Sequence, residues 1–178
     1  MANTTFSGPV RSKNGFINTG PGAVKALTLA TDLTVADHAG RLITMDPAGT
    51  PTAITIPSII STADAAVAGA NDPNNASTIG TTFEILFIDN FTGTIKTANT
   101  ADKFVGAVTL GITASTAGKQ FQVATNNNEV NLNGEAGTAT TGGLKGSIIK
   151  FTAIAANLYA VEGQLLAAGV LATPFDNQ

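Results

Sequence analysis

Scarcity of charge is the feature that most constrains what this chain can fold into. Only 12% of its 178 residues are Asp, Glu, Lys or Arg, while 43% are hydrophobic. A typical soluble domain carries about 25% charged residues. A chain so poor in charge has too little polar surface to cover itself, and the simplest remedy is to bury part of that surface against other chains. The composition therefore predicts a structural protein that assembles with others.

The chain length and the absence of cysteine narrow the class further. A chain of 178 residues fits one domain, which at this size buries roughly 70% of its unfolded surface and needs no disulfide or metal staple. Because Cys is absent, thiolate catalysis and zinc–thiolate sites are excluded. The same absence agrees with folding in a reducing cytoplasm.

The distribution of charge and apolar residues predicts neither a nucleic-acid nor a membrane partner. The formal net charge is -3, and the nine basic residues are scattered singly, whereas phosphate binding needs clustered Lys and Arg. The apolar stretch at residues 165–172 has about half the length that a membrane-spanning helix requires. The N-terminus has no signal-peptide pattern.

Period-two patterning predicts an all-β fold. Residues 52–57 alternate Thr with Ile and Ala, as in a half-buried strand. Similar short segments are separated by clusters of Gly, Asn, Asp or Thr, which favour turns. The further strand candidates are residues 41–45, 83–88, 94–97, 104–108, 121–124, 130–132, 147–152 and 158–162. Many short strands with such punctuation predict an antiparallel β-sandwich or barrel.

The rest of the chain divides into an arm, an insertion and a tail. Residues 1–35 show no sustained period and are rich in turn formers, so we expect an extended N-terminal arm and leader before a single β-domain at residues 36–178. Within that domain, a loop or short-helix insertion is expected near residues 58–80. Its Ala-rich part, 58–70, is the one short helix that the sequence predicts. The tail, 163–178, is expected to be a packing arm or a terminal strand.

Two glycine-containing segments have a partial likeness to nucleotide-binding loops. Residues 111–120 approach the phosphate-loop pattern, but Thr113 stands where its first Gly belongs and Gln120 replaces the Ser or Thr that would hold magnesium. A strand–loop–strand turn is the favoured interpretation. The glycines that begin at Gly20 would need a third Gly where Lys25 stands, so they too are interpreted as a turn.

No residue pattern indicates a catalytic or metal site. His38 is the only histidine and follows Asp37, but adjacent strand residues point to opposite faces, so the two should not pair. Residues 126–128 are all Asn and predict a hairpin tip in preference to calcium ligands. We therefore predict no catalytic residue, cofactor or metal. A hydrolase with two carboxylates facing each other across a cleft is the disfavoured alternative.

Eight of the nine phenylalanines fall into two groups. Five lie in strand candidates and are expected in the core: Phe83, Phe87, Phe104, Phe121 and Phe151. Three lie in the terminal segments, where little local core is available: Phe6, Phe16 and Phe175. For these three we expect anchoring in the pocket of a neighbouring molecule.

Both ends of the chain carry a resemblance. Residues 1–16, Met-Ala-Asn-Thr-Thr-Phe-Ser-Gly-Pro-Val-Arg-Ser-Lys-Asn-Gly-Phe, resemble the start of small structural proteins of tailed bacteriophages, especially marine ones. Residues 172–175, Ala-Thr-Pro-Phe, are similar to the ends of such proteins. Residues 55–57 and 158–163 resemble strands of phage virion β-domains.

The resemblance implies a capsid decoration (cement) protein. Such a protein is made in the bacterial cytoplasm, binds the major capsid protein on the outer surface of the virion, and associates with itself as a homotrimer. In this chain the implied capsid contacts are in the arm: Phe6, Pro9, Val10, Arg11 and Phe16. The alternative is a knob, fibre or tail-associated β-module that binds a host receptor.

Overall fold

A computed structural model describes residues 23–47, 52–60 and 78–178. These residues form two β-sheets that pack face to face, with one single-turn helix, α1 (Val35–His38). In chain order the strands are β1 (Val24–Leu27), β2 (Thr31–Asp32), β3 (Leu42–Met45), β4 (Thr52–Ile56), β5 (Thr82–Phe87), β6 (Gly93–Thr97), β7 (Lys103–Ile112), β8 (Gly118–Gln122), β9 (Glu129–Leu132), β10 (Ile148–Ala155), β11 (Leu158–Ala167) and β12 (Phe175–Asp176).

The period-two pattern predicted from the sequence is the pattern of burial. Every second residue is buried along β4 and along β5, because successive side chains of a strand point to opposite faces of the sheet. The buried residues of the two sheets meet in one core. The prediction of a β-sandwich is therefore confirmed.

Strand order shows how the chain builds the sandwich. One sheet has seven strands in the order β1-β3-β5-β10-β11-β7-β8, and the other has five in the order β12-β9-β6-β4-β2. The first six strands alternate between the two sheets. Their neighbours within each sheet, β1–β3–β5 and β2–β4–β6, consequently run parallel. Most pairs involving later strands are antiparallel, β11–β7 being parallel.

Both sheets are thus mixed, whereas the sequence predicted antiparallel pairing. Parallel neighbours need a crossover between them, and within the first six strands each crossover includes a strand of the opposite sheet. The first six strands form a coil in which one strand of each sheet is added per turn. Pairing partners within this coil are far apart in sequence, so local turn signals carry no information about their direction.

Aromatic side chains fill the centre of the core. The largest fully buried residues are Tyr159, Phe83, Phe87, Phe91 and Phe151. The rings of Phe104 and Phe151 are 5.3 Å apart between centroids, and those of Phe87 and Phe91 are 4.8 Å apart. Of the five phenylalanines predicted for the core, four are buried and Phe121 is half-buried against the core.

The position of Phe175 in the structure contradicts one prediction. Phe175 lies in β12, pairs with Val130 of β9 and is buried in the core of its own chain. The expectation that Phe175 anchors in a neighbouring molecule is therefore wrong, and the tail is a terminal strand. Phe6 and Phe16 lie outside the described residues.

The N-terminal part of the sandwich begins earlier than residue 36. β1 and β2 belong to the two sheets, and Leu27 and Leu33 are buried in the core. The helix α1 is capped by Thr34, whose hydroxyl accepts a hydrogen bond from the Asp37 backbone N–H, as is typical of an N-cap. Residues 58–60 of the predicted helix are not helical, and residues 61–77 lie outside the described part of the chain.

Gly106 is a backbone position that β7 needs. Its φ is +121°, and a Cβ atom there would lie 2.2 Å from the carbonyl oxygen of Val161 on the neighbouring strand.

We expect Gly106→Ala to lower the free energy of unfolding by about 3 kcal/mol or more, measured by urea denaturation. Gly111→Ala is the matched control in the same strand. There the nearest atom to a new Cβ is Leu166 Cδ2 at 3.9 Å, and the change should stay within about 1 kcal/mol. Equal losses in the two variants would contradict this role of Gly106.

Candidate functional site

The outer face of the five-stranded sheet is polar. Strand pairing aligns Asp32, Thr55, Lys96, Glu129 and Asp176 in one row across all five strands. The other outward residues of the described strands are small or polar: Ala53, Thr94 and Asn131. We refer to this surface as the polar face, and it has the composition of a surface that stays in water.

The outer face of the seven-stranded sheet has a different composition. The alternating burial of its strands directs aliphatic side chains outward, interspersed with polar ones such as Thr44, Thr82 and Thr152. The aliphatic residues are Val24, Leu42, Leu86, Val105, Ile148 and Ile154. Three of these are well exposed, Val24 at 45%, Val105 at 44% and Ile154 at 46%. We call this surface the apolar face. Exposed aliphatic residues grouped on one side of a sheet indicate a surface that binds another protein.

Three of the charges on the apolar face compensate one another. Strand register places Lys150 between Glu84 and Glu162 on adjacent strands, and Lys150 Nζ lies 2.7 Å from Glu162 Oε1. This hydrogen bond, reinforced by the negative charge of Glu162, raises the pKa of Lys150. An exposed pair of this kind adds little stability. Its effect is to leave the centre of the face with a net charge of only −1.

A buried polar cluster lies beneath residues 57–60. The Tyr159 hydroxyl donates to the Pro57 carbonyl oxygen at 2.7 Å, and the Ile59 backbone N–H donates to Asp102 Oδ2 at 3.1 Å. Asp102 is fully buried, and among the described residues its Oδ1 has no hydrogen-bond partner. Burial raises the pKa of Asp102, and the hydrogen bond from Ile59 offsets this only in part.

The same cluster keeps Tyr159 protonated. Burial raises the pKa of Tyr159, and the nearby negative charge of Asp102 raises it further. A hydroxyl that stays protonated is a hydrogen-bond donor and a poor nucleophile, so the contact with Pro57 is a structural tether. Next to it, Ile60 N donates to Thr78 Oγ1 and Thr78 N to Ile60 O, both at 2.8 Å. These bonds join the two ends of the segment 61–77.

The asparagine segment contributes to a second polar cluster. Asn128 is fully buried and its Nδ2 donates to the Thr100 carbonyl oxygen at 3.2 Å. Its Oδ1 accepts from the Gln178 backbone N–H at 2.9 Å, while Gln178 Nε2 donates to the Thr97 carbonyl oxygen at 3.0 Å. The expectation of a hairpin tip is wrong, because β8 and β9 lie in different sheets. Asn128 instead helps to hold residues 176–178 in place.

His38 and Asp37 each bind an atom of Thr34 and do not pair with each other. Both lie on the α1 turn, whereas the prediction from the sequence treated them as adjacent strand residues. His38 is buried, and its Nδ1 accepts from the Thr34 backbone N–H at 3.0 Å. Asp37 Oδ2 accepts from the Thr34 hydroxyl at 3.3 Å. Within residues 23–47, 52–60 and 78–178, no three His, Asp or Glu side chains are grouped so that they could hold a metal ion.

Of the other sites considered in the sequence analysis, the arm residues lie outside the described part of the chain and residues 111–120 lie within it. The arm residues expected to contact a capsid are all outside the described part of the chain: Phe6, Pro9, Val10, Arg11 and Phe16. Residues 111–120 form the turn and flanking strands of the β7–β8 pair, so the strand–loop–strand prediction is confirmed. Among the described residues, no helix is long and apolar enough to cross a membrane.

No protein-family model, curated protein or solved structure matches this chain. The apolar face therefore has to be interpreted from its own geometry.

The apolar face has a signal in the sequence at residues 83–88 and 148–149. Consecutive apolar residues there break the alternation, as they do in strands that are apolar on both sides.

The unpaired buried carboxylate predicts a stabilising substitution. Because the folded state raises the pKa of Asp102, stability is highest when the group is protonated and falls as pH rises through its ordinary value of 3.8. Asp102→Asn keeps an acceptor for the Ile59 N–H and removes the buried charge. We expect it to raise the free energy of unfolding at pH 7 by about 1–3 kcal/mol. The matched control, Asp32→Asn on the exposed β2, should change it by less than about 0.5 kcal/mol. A destabilised Asp102→Asn protein would contradict this account.

His38 predicts the opposite dependence in a higher pH range. Burial lowers the pKa of His38 below 6.5, and the hydrogen bond with Thr34 offsets this only in part. The stabilisation is therefore complete above pH 6.5 and is lost as pH falls through 6.5 toward the lower folded-state pKa. Urea midpoints at pH 7.5, 6.5 and 5.5 should decrease in that order for the parent chain. His38→Asn, which retains an acceptor, should flatten the trend, and an unchanged slope would exclude His38 as its cause.

Proposed function

We propose that this protein is a non-enzymatic virion structural protein of the capsid decoration (cement) class. It would bind the outer capsid surface and stabilise contacts between major capsid subunits. The observation that carries the proposal is the difference between the polar face and the apolar face. A sandwich whose described strands present large aliphatic side chains on one outer face and not on the other is suited to lying on a protein shell with its polar face toward water. The resemblance of both chain ends to phage structural proteins supplies the class of shell.

The connectivity of the chain supports a joint role for the arm and the apolar face. Residues 1–22 lead directly into the region of β1, the edge strand of the seven-stranded sheet. The chain therefore enters the fold beside Val24, at one margin of the apolar face. Arm residues such as Phe6 and Arg11 can then engage the same shell as the face does, and an extended segment can add a strand to a capsid sheet edge.

The energetics of such binding follow from the composition of the face. Burying apolar surface contributes about 25 cal/mol per Å², and the aliphatic side chains on the face are already ordered by the sheet. The charges of Glu84, Lys150 and Glu162 are largely balanced among themselves, so long-range attraction contributes little. We therefore expect capsid binding that depends only weakly on salt concentration.

The test is co-sedimentation of the purified protein with undecorated capsids. The full chain should bind in a copy number near that of the major capsid protein. Ile148→Lys, which places a charge in the apolar face, should weaken binding at least about tenfold. Thr94→Lys adds the same charge to the polar face and should leave binding unchanged. A chain lacking residues 1–16 should stay folded and oligomeric but no longer bind capsids.

Two outcomes would contradict the proposal. If Ile148→Lys and Thr94→Lys bind equally well, the apolar face is not the contact. If the full chain ignores capsids and is present in only a few copies per virion, the receptor-binding module of a knob, fibre or tail becomes the better account.

A further inference from the structure

β8 is a free edge of the seven-stranded sheet. In the described part of the chain it pairs only with β7. Hydrogen bonds from Ile112 N to Ala117 O, at 3.1 Å, and from Val123 N to Gly106 O, at 3.0 Å, bracket the pairing at its two ends. Backbone groups along a strand alternate in direction, so these bonds establish which residues of β8 point their peptide groups toward β7.

The remaining residues of β8 direct their peptide groups away from the sheet. Since residues 117 and 123 hydrogen bond to the β7 strand, the N–H and C=O groups of Gly118, Gln120 and Gln122 point outward. All three residues are exposed. The edge thus offers a row of backbone donors and acceptors to another strand.

This edge lacks the devices that usually block strand addition. β8 has five residues without Pro, and its register with β7 is continuous, whereas the other sheet edges, β1, β2 and β12, have four, two and two residues. Its one charge, on Lys119, is held over the Phe121 ring, with Nζ 4.8 Å from the centroid. Both side chains are on the strand side that faces the other sheet, because they pair with the buried Leu110 and Val108. The charge therefore does not project along the edge.

We propose that β8 pairs antiparallel with β8 of a second copy of this chain, about a two-fold axis at Gln120. In that register the outward peptide groups of the two strands meet: Gln120 lies opposite Gln120 of the second copy, and Gly118 lies opposite Gln122. Lys119 then lies opposite Phe121 of the second copy, so no like charges face each other and each ammonium has a second aromatic ring within reach. The strand is thus complementary to itself, as an isologous interface requires.

The surface beside β8 is also suited to contact with a second copy of this chain. On the outer side of β7 and β8, the residues next to the edge are uncharged: Val105, Ala107, Thr109, Gln120 and Gln122. A two-fold axis perpendicular to the sheet brings two such surfaces together without burying a charge. It also joins the two seven-stranded sheets into one, with both apolar faces on the same side. This inference does not depend on the proposed capsid function.

Cysteine cross-linking tests the register directly. The chain has no Cys, so Gln120→Cys introduces the only thiol. Directly opposed residues of a hydrogen-bonded antiparallel pair have Cα atoms about 5.5 Å apart, which is within the range that a disulfide spans. We expect Gln120→Cys to form a disulfide-linked dimer under mild oxidation, on a denaturing gel without reductant. Thr109→Cys, its neighbour on β7 and one strand away from the edge, is the control and should remain monomeric on the same gel.

Charge substitution at the same position gives an independent readout of mass by light scattering. Gln120→Lys and Gln120→Glu each place like charges opposite each other at the axis, and each should weaken dimerisation at least about tenfold. Mixing the two variants should restore the dimer, whereas Thr109→Lys should behave like the parent. A trimer whose mass is insensitive to these changes, a parent chain that remains monomeric, or equal cross-linking of both cysteine variants would overturn the proposal. The first result would favour the homotrimer that the resemblance to decoration proteins implies.

Discussion

The packing of two aliphatic rows against each other is the interaction on which this structure depends. In the seven-stranded sheet, Ile43, Ile85 and Ile149 are aligned across adjacent strands. In the five-stranded sheet, Ile54 and Ile95 are aligned in the same way. All five side chains are fully buried. Because consecutive strands in the first half of the chain belong to opposite sheets, neither row can be assembled without the other. The hydrophobic effect therefore selects the path of the chain as well as the composition of its core.

Low charge has two separate outcomes in this fold. Some of the apolar residues fill the core, and the excess lies on one outer face, while the polar face carries charged residues such as Asp32, Lys96 and Glu129. The few titratable groups inside the fold have specific consequences, since burial raises the pKa of Asp102 and lowers the pKa of His38. These two groups make stability depend on pH in opposite directions over different ranges. The scarcity of charge thus determines the composition of the outer faces, and the few buried titratable groups determine how stability depends on pH.

The sequence predicted the nine strands from β3 to β11, and it missed β1, β2 and β12. Residues 52–57 and 83–88 correspond closely to β4 and β5, but β1, β2 and β12 have two to four residues each and no pattern of their own. Parallel pairing was not predictable, because the partners of β1 and β2 lie beyond the nearest turn. Phe175 was assigned to a neighbour because its burial depends on β9, which is distant in sequence. Asp102 gave no signal, since a single acid between a Thr-Ala pair and a Lys has no motif, and its burial is a property of the packed fold.

The coil of the first six strands has a consequence for synthesis on the ribosome. Each turn of the coil completes before the next is translated, so β1 to β6 can stack in the order in which they emerge. β5 and β6 each lack their second neighbour until β10 and β9 are made. A nascent chain that stops after residue 97 therefore has two strand edges, one in each sheet, that still lack the partner they have in the complete fold. The interval between residues 97 and 155 is the period in which a growing chain is most exposed to wrong partners, and the hairpin of β10 and β11 ends it.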